Sequence, residues 1–292
     1  MNIIAFHQTF PDEQACKAHF LSNRLKKGVV CAKCSHQEHY FLKNKEQFQC
    51  KNCKFRTTLK SGTVLQNSKL PFQYWYIAMH LITSTKKSFS AHELRRQLGH
   101  KRYEPIWSLL HKIRHAMKPD SQLNMAVTVD DAFVSTYTPK ANKASLKRGK
   151  GSESKSKITA MLENIPIEND NTVAVFCGNL TLIHNKSEKA VDAENIVRKY
   201  VNDKAVLFSD SALNYTNLKQ CVSMHIKLDG KNFEEPMFKW TNIIISNLKR
   251  YLLGIFHCIK EDYLQNYLNE FSFKFNHRKA YNIFENLSLI VS

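Results

Sequence analysis

Asp130 and Asp131 stand side by side in the run Ala126 to Val134, which is otherwise apolar or small. A carboxylate buried in such a run is costly without a cation or donor, and a metal ion is its natural remedy. Neighbours in a strand project to opposite faces, so only one of the pair can look into a given site. Asp130 shares its face with Ala126, Thr128 and Ala132, which makes it the candidate. Asp131 follows Val127, Val129 and Phe133 and is expected to leave the sheet plane or sit at its edge. A second acid, Asp210, closes the apolar run Ala205 to Phe208, where α/β architectures place ligands and catalytic groups. The competing reading makes Asp210 the N-cap of a helix over 211–218. Asn242 and Lys249 are two helical turns apart and share a stripe with Ser246, beside the apolar Ile244, Leu248, Leu252 and Ile255. That stripe either faces a cleft or is a helix cap and a solvated lysine.

Cys31, Cys34, Cys50 and Cys53 form a second constellation: two Cys-x-x-Cys turns separated by residues 35–49. Each turn aims two thiolates at one point, and the spacer is long enough for a hairpin that completes a tetrahedron around zinc. With four sulfurs such a site has no open position, so it is structural. The alternative, a redox dithiol, usually uses one pair. Cys16, Cys177, Cys221 and Cys258 show no pairing logic and are expected to be buried free thiols, which suits a reducing compartment.

The charge of +18 over 292 residues is unevenly spread. Residues 1–122 hold 21 Lys and Arg against 7 Asp and Glu, and residues 123–292 hold 22 against 18. An excess of that size at one end makes a polyanion the expected partner, nucleic acid first. No stretch reaches about eighteen uninterrupted apolar residues, and no charged-then-apolar leader opens the sequence. A soluble, intracellular protein without a membrane partner is therefore expected.

These residues need elements to position them. A helical pattern runs over 7–27, with Phe10-Pro11-Asp12 as its start signal and Gly28 as its stop. Leu70-Pro71 opens a helix carrying Phe72, Trp75, Tyr76 and Met79. Ser90 to Glu93 is a capping box for a short helix ending at Gly99, and another helix runs from about Pro105 to Met117. Helix, tight turn, helix is a DNA-reading geometry that would put Lys101, Arg102 and Tyr103 at base edges; the alternative is a plain helical hairpin with a solvated basic turn. After Pro119 the period changes to strands: 123–137, then 157–164 and 172–178 as a meander. Between them, Pro139 to Lys157 reads as a basic loop, with Lys140, Lys143, Lys147, Arg148, Lys150, Lys155 and Lys157 against Glu153. It either grips phosphates or is a solvated face. A helix over 187–201, a short buried strand over 204–208, a weaker one over 224–228 and helices over about 241–253 and 261–276 complete the chain.

Several of these segments together resemble one family. Val129-Asp130-Asp131-Ala132-Phe133, Ser209-Asp210, Trp240-Thr241-Asn242 through Leu248-Lys249-Arg250, Gly254-Ile255-Phe256-His257 and Phe271 to Arg278 are similar, in order, to insertion-sequence transposases. In that family a zinc ribbon and a helix-turn-helix precede a ribonuclease-H-like catalytic domain. Thr57 to Phe72 and Gly149 to Glu153 match as well, so the resemblance covers nearly the whole chain.

The resemblance implies an α/β fold: a ribonuclease-H-like mixed sheet flanked by helices, preceded by a small zinc ribbon and a helix-turn-helix module. Expected boundaries are 1–62, 63–120 and 121–292. It makes Asp130 and Asp210 the acidic ligands of Mg²⁺ or Mn²⁺, Asn242 the third ligand and Lys249 a phosphate contact. Lys147, Arg148 and Lys150 join Lys101, Arg102 and Tyr103 as DNA contacts. The implied partners are double-stranded DNA, as terminal inverted repeats and target, and further copies of the chain, in a prokaryotic cytoplasm at the nucleoid. Most transposases of the broad class carry glutamate where the resembled branch, and this chain, carry asparagine. Ser135-Thr136 and Ser211 replace glycines of the family pattern. A DNA-binding regulator without catalysis, or an inactive relic, is the alternative; an RNA-binding ribbon protein fits less well, since duplex RNA hides its major groove.

Overall fold

Residues 1–117 and 280–292 form one unit and residues 118–279 a second in the computed structural model, which describes residues 1–139, 152, 154–169, 172–187, 189–228, 236–257 and 259–292.

In the first unit the helical pattern over 7–27 is split in two. Helix α1 is Ile3–Thr9 and α2 is Glu13–Lys27, because Pro11 has no amide to continue a helix and Asp12 instead accepts from Ala15 N at 2.8 Å as an N-cap. Strands β1 (His39–Leu42), β2 (Gln47–Cys50) and β3 (Arg56–Thr58) form an antiparallel sheet in that order, with Phe48 buried against Phe41. Helices α3 (Phe72–Ser84), α4 (Ala91–Gln97) and α5 (Glu104–Ala116) come next. The Ser90 hydroxyl accepts from Glu93 N at 3.1 Å, but the Glu93 carboxylate holds Arg96 and Gln97, so only half of the expected capping box forms.

The second unit is built on a sheet of β4 (Ala126–Ser135), β5 (Lys155–Asn169), β6 (Thr172–His184), β7 (Val206–Ser209) and β8 (Met224–Lys227), ordered β6-β5-β4-β7-β8. Strands β4, β5 and β6 are an antiparallel meander, while β7 and β8 run parallel to β4. Helix α6 (Ala190–Tyr200) covers one face, packing Ala193 and Val197 on Val127, Val129 and Leu207. Helices α7 (Pro236–Phe256) and α8 (Leu264–Asn276) cover the other, burying Ile244, Leu248 and Leu268 against Ala132, Ile158, Ala160 and Leu182. This mixed sheet, flanked by helices on both faces, is a ribonuclease-H-like fold.

A last helix, α9 (Ile283–Val291), lies in a segment whose pattern predicts no element. It belongs to the first unit, so the unit containing β4 to α8 ends at Lys279 rather than running over the expected 121–292. Its Phe284 ring packs among Phe6, Phe10, Tyr76 and His80. Ser288 Oγ accepts from Asn23 Nδ2 at 3.2 Å. The short period of nine residues, broken by Asn286 and Ser288, hides this helix from periodicity; the signal that could have found it is Asn282 three residues before Glu285, a capping pair.

Candidate functional site

The four cysteine sulfurs lie within 4.8 Å of one another, with Cys31–Cys53 at 3.5 Å, Cys34–Cys50 at 3.6 Å and Cys34–Cys53 at 3.4 Å. Zinc–sulfur bonds of about 2.3 Å in a tetrahedron set sulfurs about 3.8 Å apart, so the cluster fits structural zinc in charge, number and size. The two turns share one backbone design. Ser35 N donates to Cys31 O and Cys31 N to His36 O; Lys54 N donates to Cys50 O and Cys50 N to Phe55 O. Ser35 and Lys54 both take left-handed φ, 57° and 60°, which closes each turn around its sulfurs. Cys16 and Cys221 are buried thiols, and burial pushes Cys16 up to about 12. Cys177 is half-buried, and Cys258 lies outside the described residues.

Asp130 and Asp210 are neighbours across two parallel strands. Val129 is in register with Ser209, so the next position on each chain is an aspartate. Asp130 shares its face of β4 with Thr128, whose hydroxyl donates to Met237 O at 3.3 Å, and with Ala132, which packs under α7. Burial pushes the Asp130 carboxyl up to about 6; the Asp131 amide and the Lys249 ammonium work against that shift, while the charges of Asp210 and Asp131 add to it. The Asp210 Oδ1 accepts from Ala212 N at 3.1 Å. The chain then makes two short 3-10 turns, Leu213–Tyr215 and Leu218–Gln220, rather than the α-helix over 211–218 that a capping role required.

Helix α7 carries Asn242 and Lys249 past this pair. Its start is fixed at Thr128 through Met237, and farther on Lys249 and Leu252 line a cavity with Phe133, Val134 and Ser135, so helix and strand run the same way. From Thr128 to Asp130 the strand advances about 7 Å at about 3.3 Å per residue. From Met237 to Asn242 the helix advances about 7.5 Å at about 1.5 Å per residue. At these ideal rises Asn242 falls about as far along α7 as Asp130 does along β4. Lys249 sits farther along the same stripe, and helical side chains lean toward the N-terminus, which turns it back toward Asp130. That agrees with its effect on the Asp130 carboxyl.

Asp131 does not leave the sheet. Its side chain points to the opposite face, where Oδ1 accepts from Thr159 Oγ1 at 2.7 Å and Oδ2 accepts from Asn214 Nδ2 at 2.7 Å and pairs with Lys157 Nζ at 3.0 Å. A cation and two donors remove the cost that argued for exile to an edge. Lys157, expected in the basic loop, instead lies in β5, opposite Phe133, with its side chain 9% exposed; its period-two spacing from Thr159 and Met161 is the available signal. Lys140, Lys143, Lys147, Arg148, Lys150 and Glu153 lie outside the described residues.

In the first unit, α4 and α5 are joined by a turn in which Gly99 takes φ 62°. Lys101 and Arg102 are exposed there, and the Tyr103 ring packs on His92 at 4.4 Å. His92, Arg95, Arg96, His100 and Lys101 line a shallow concavity with Ser90, Gly99 and one acid, Glu93, which pairs with Arg96.

Among known sequences, the ISXO2-like transposase domain matches residues 122–276, and the transposase zinc-ribbon domain matches residues 11–56. The first match alone covers more than half of the chain, and it falls on the unit that holds Asp130, Asp210, Asn242 and Lys249. The chain belongs to the ISXO2-like transposases, a family of the insertion-sequence class. No curated protein matches it. Among solved structures, it is similar to a chain of the simian T-cell lymphotropic virus intasome in complex with PP2A regulatory subunit B56 gamma. That match has 12% identity and TM-score 0.30, over 66% of this chain and 64% of that one. No helix among the described residues is long and apolar enough to cross a membrane.

Proposed function

We propose that the protein binds the ends of an insertion sequence and catalyses metal-dependent strand cleavage and strand transfer. The observation that supports this reading is that Asp130 and Asp210 each directly follow a paired position, Val129 with Ser209, of two adjacent parallel strands, so that the charge of Asp210 acts on the Asp130 carboxyl. Two carboxylates so close repel each other, and a bound cation relieves that repulsion. The donor set, two carboxylates and an amide oxygen, is all oxygen and suits Mg²⁺ or Mn²⁺. When bound, such a metal supplies Lewis-acid stabilisation of the phosphate and of the attacking and leaving oxygens.

The chain's own side chains do the positioning. Asp130 and Asp210 hold the metal-binding corner open on the α7 side, and Asn242 closes it without adding charge, leaving more charge to be balanced by substrate phosphates. Lys249 holds a non-bridging oxygen of the scissile phosphate. In cleavage, water attacks phosphorus and the 3′ oxygen leaves with a proton; in transfer, that 3′ hydroxyl attacks a target phosphate and displaces its bridging oxygen. Lys101, Arg102 and Tyr103 contact the terminal repeats, with Lys147, Arg148 and Lys150 gripping DNA backbone. Two ends held together require more than one copy of the chain. The work is done on DNA in a prokaryotic cytoplasm.

The test is nicking of a labelled terminal-repeat duplex with Mg²⁺ or Mn²⁺. Wild type is expected to nick, and Asp130→Asn and Asp210→Asn are not. Equal nicking by all three overturns the site. Metal-independent binding of the duplex without nicking by any of them favours the non-catalytic regulator, a reading that Ser135, Thr136 and Ser211 in place of the family's glycines keep in view.

A further inference from the structure

Asp131 takes no part in that chemistry, yet it is among the most heavily bonded carboxylates of the second unit. Oδ1 is held from β5 by Thr159, and Oδ2 is shared by Lys157 from β5 and Asn214 from the turn beyond Asp210. Tyr215, fully buried, stands against the same carboxylate; burial, with Asp131 beside it, holds its phenol well above the ordinary value. Meanwhile the Asp131 amide donates to Asp130 Oδ1 at 2.8 Å. One residue therefore grips the Asp130 carboxylate with its backbone and, with its side chain, the segment four residues beyond Asp210.

We infer that Asp131 and Asn214 are positioning residues that tie the turn after Asp210 to β4 and so fix the separation of the two metal-binding acids. β7 has only four residues and ends at Ser209, so Asp210 lies past the last ladder position and takes its place from the turn. Within that turn Asp210 caps Ala212, and Asn214 reaches back under β4 to Asp131. Groups that orient metal ligands from behind typically change metal affinity by about 10- to 100-fold when lost.

The inference rests on the reading of Asp130 and Asp210 as metal ligands, and the experiment separates the two. Mn²⁺ alone is titrated calorimetrically into the full chain as wild type, Asp130→Asn, Asn214→Leu and Thr159→Val. Asn214→Leu keeps shape and removes the link to the Asp210 turn. Thr159→Val removes an equally short bond to the same carboxylate from the other side. Expected are an Mn²⁺ site lost in Asp130→Asn, weakened about tenfold in Asn214→Leu, and unchanged within about twofold in Thr159→Val. Nicking by Asn214→Leu recovers at saturating Mn²⁺, with its melting temperature near that of wild type. Unchanged Mn²⁺ affinity in Asn214→Leu overturns the strut, as does equal weakening in Thr159→Val. Should Asn214→Leu fold poorly, Asn214→Ser serves in its place with the same outcomes. Mn²⁺ binding that is absent from wild type, or indifferent to Asp130→Asn, overturns the metal corner and the strut with it.

Discussion

The ribbon gathers its four cysteines, and the acidic corner its proposed metal ligands, from separate segments, and the two are put together in opposite ways. In the ribbon each pair of sulfurs is set by one local turn, repeated with the same hydrogen bonds at Ser35 and Lys54. The four thiolates satisfy the metal completely, and nothing is left to react. In the corner, Asp130 comes from β4, Asp210 from the turn after β7 and Asn242 from α7, so tertiary structure alone assembles them. It is also left in tension, with Asp130 pushed up to about 6 by burial and, more weakly, by its neighbours' charges. The cysteine site is locally encoded and balanced, whereas the acidic corner is assembled at long range and carries charge that a cation would relieve.

That contrast can be broken experimentally. The largest effect is expected from removing zinc: chelation, or Cys50→Ser, releases folding free energy on the order of 10 kcal/mol held in the ribbon. The expected outcome is loss of the β1–β3 amide signals in NMR while those of β4–β8 persist. Collapse of both sets would erase the distinction. Next, Asp130→Asn is expected to lower nicking by about three orders of magnitude, the scale of losing one preorganised electrostatic group. The same change should stabilise the metal-free protein at pH 8. The raised carboxyl favours folding in its protonated form, so that stability is fully present below the ordinary Asp range and lost as pH rises through about 6. The gain on removing the charge is on the order of 3 kcal/mol by thermal melting. A destabilised Asp130→Asn would contradict the tension.

A smaller effect sharpens the pH side. Below about 6 the Asp130 proton competes with metal, so Mn²⁺ affinity should fall about tenfold per pH unit there and flatten above it. A flat profile from pH 5 to 8 would assign the binding elsewhere. The smallest is expected at the turn of the first unit. Lys101→Ala should weaken binding of any duplex and lower the salt slope by about one, leaving nicking at saturating DNA unchanged. A change in sequence preference instead would place Lys101 at a base edge.

What is legible in the sequence divides along the same line. The zinc turns are legible because their spacing is their geometry. That Asp130 lies on the α7 face of β4 is legible from strand alternation, and that Asn242 and Lys249 lie on one helix from the helical period. Asp131 and Lys157 mislead for one reason: each reads differently within its own segment, the acid as misplaced in an apolar strand and the lysine as one more charge in a basic run. Their pairing spans twenty-six residues of sequence and exists only once β5 lies beside β4. Asn214 carries no local signal at all. At the N-terminus, Pro11 reads as part of a start signal within one helical stretch, although it breaks the stretch in two.

Helix α9 bears on how the protein is made. Phe284, Leu287 and Val291 are buried in the unit that begins at the N-terminus, so its core stays open while residues 118–279 are being synthesised. Domains usually fold in the order in which they leave the ribosome. Here residues 1–117 must wait for a segment translated after the whole of the second unit. A copy interrupted by a stop codon anywhere in the sheet-bearing unit therefore lacks the helix that seals the first. Broken copies of the gene would then yield chains in which the first unit is left as incomplete as the second.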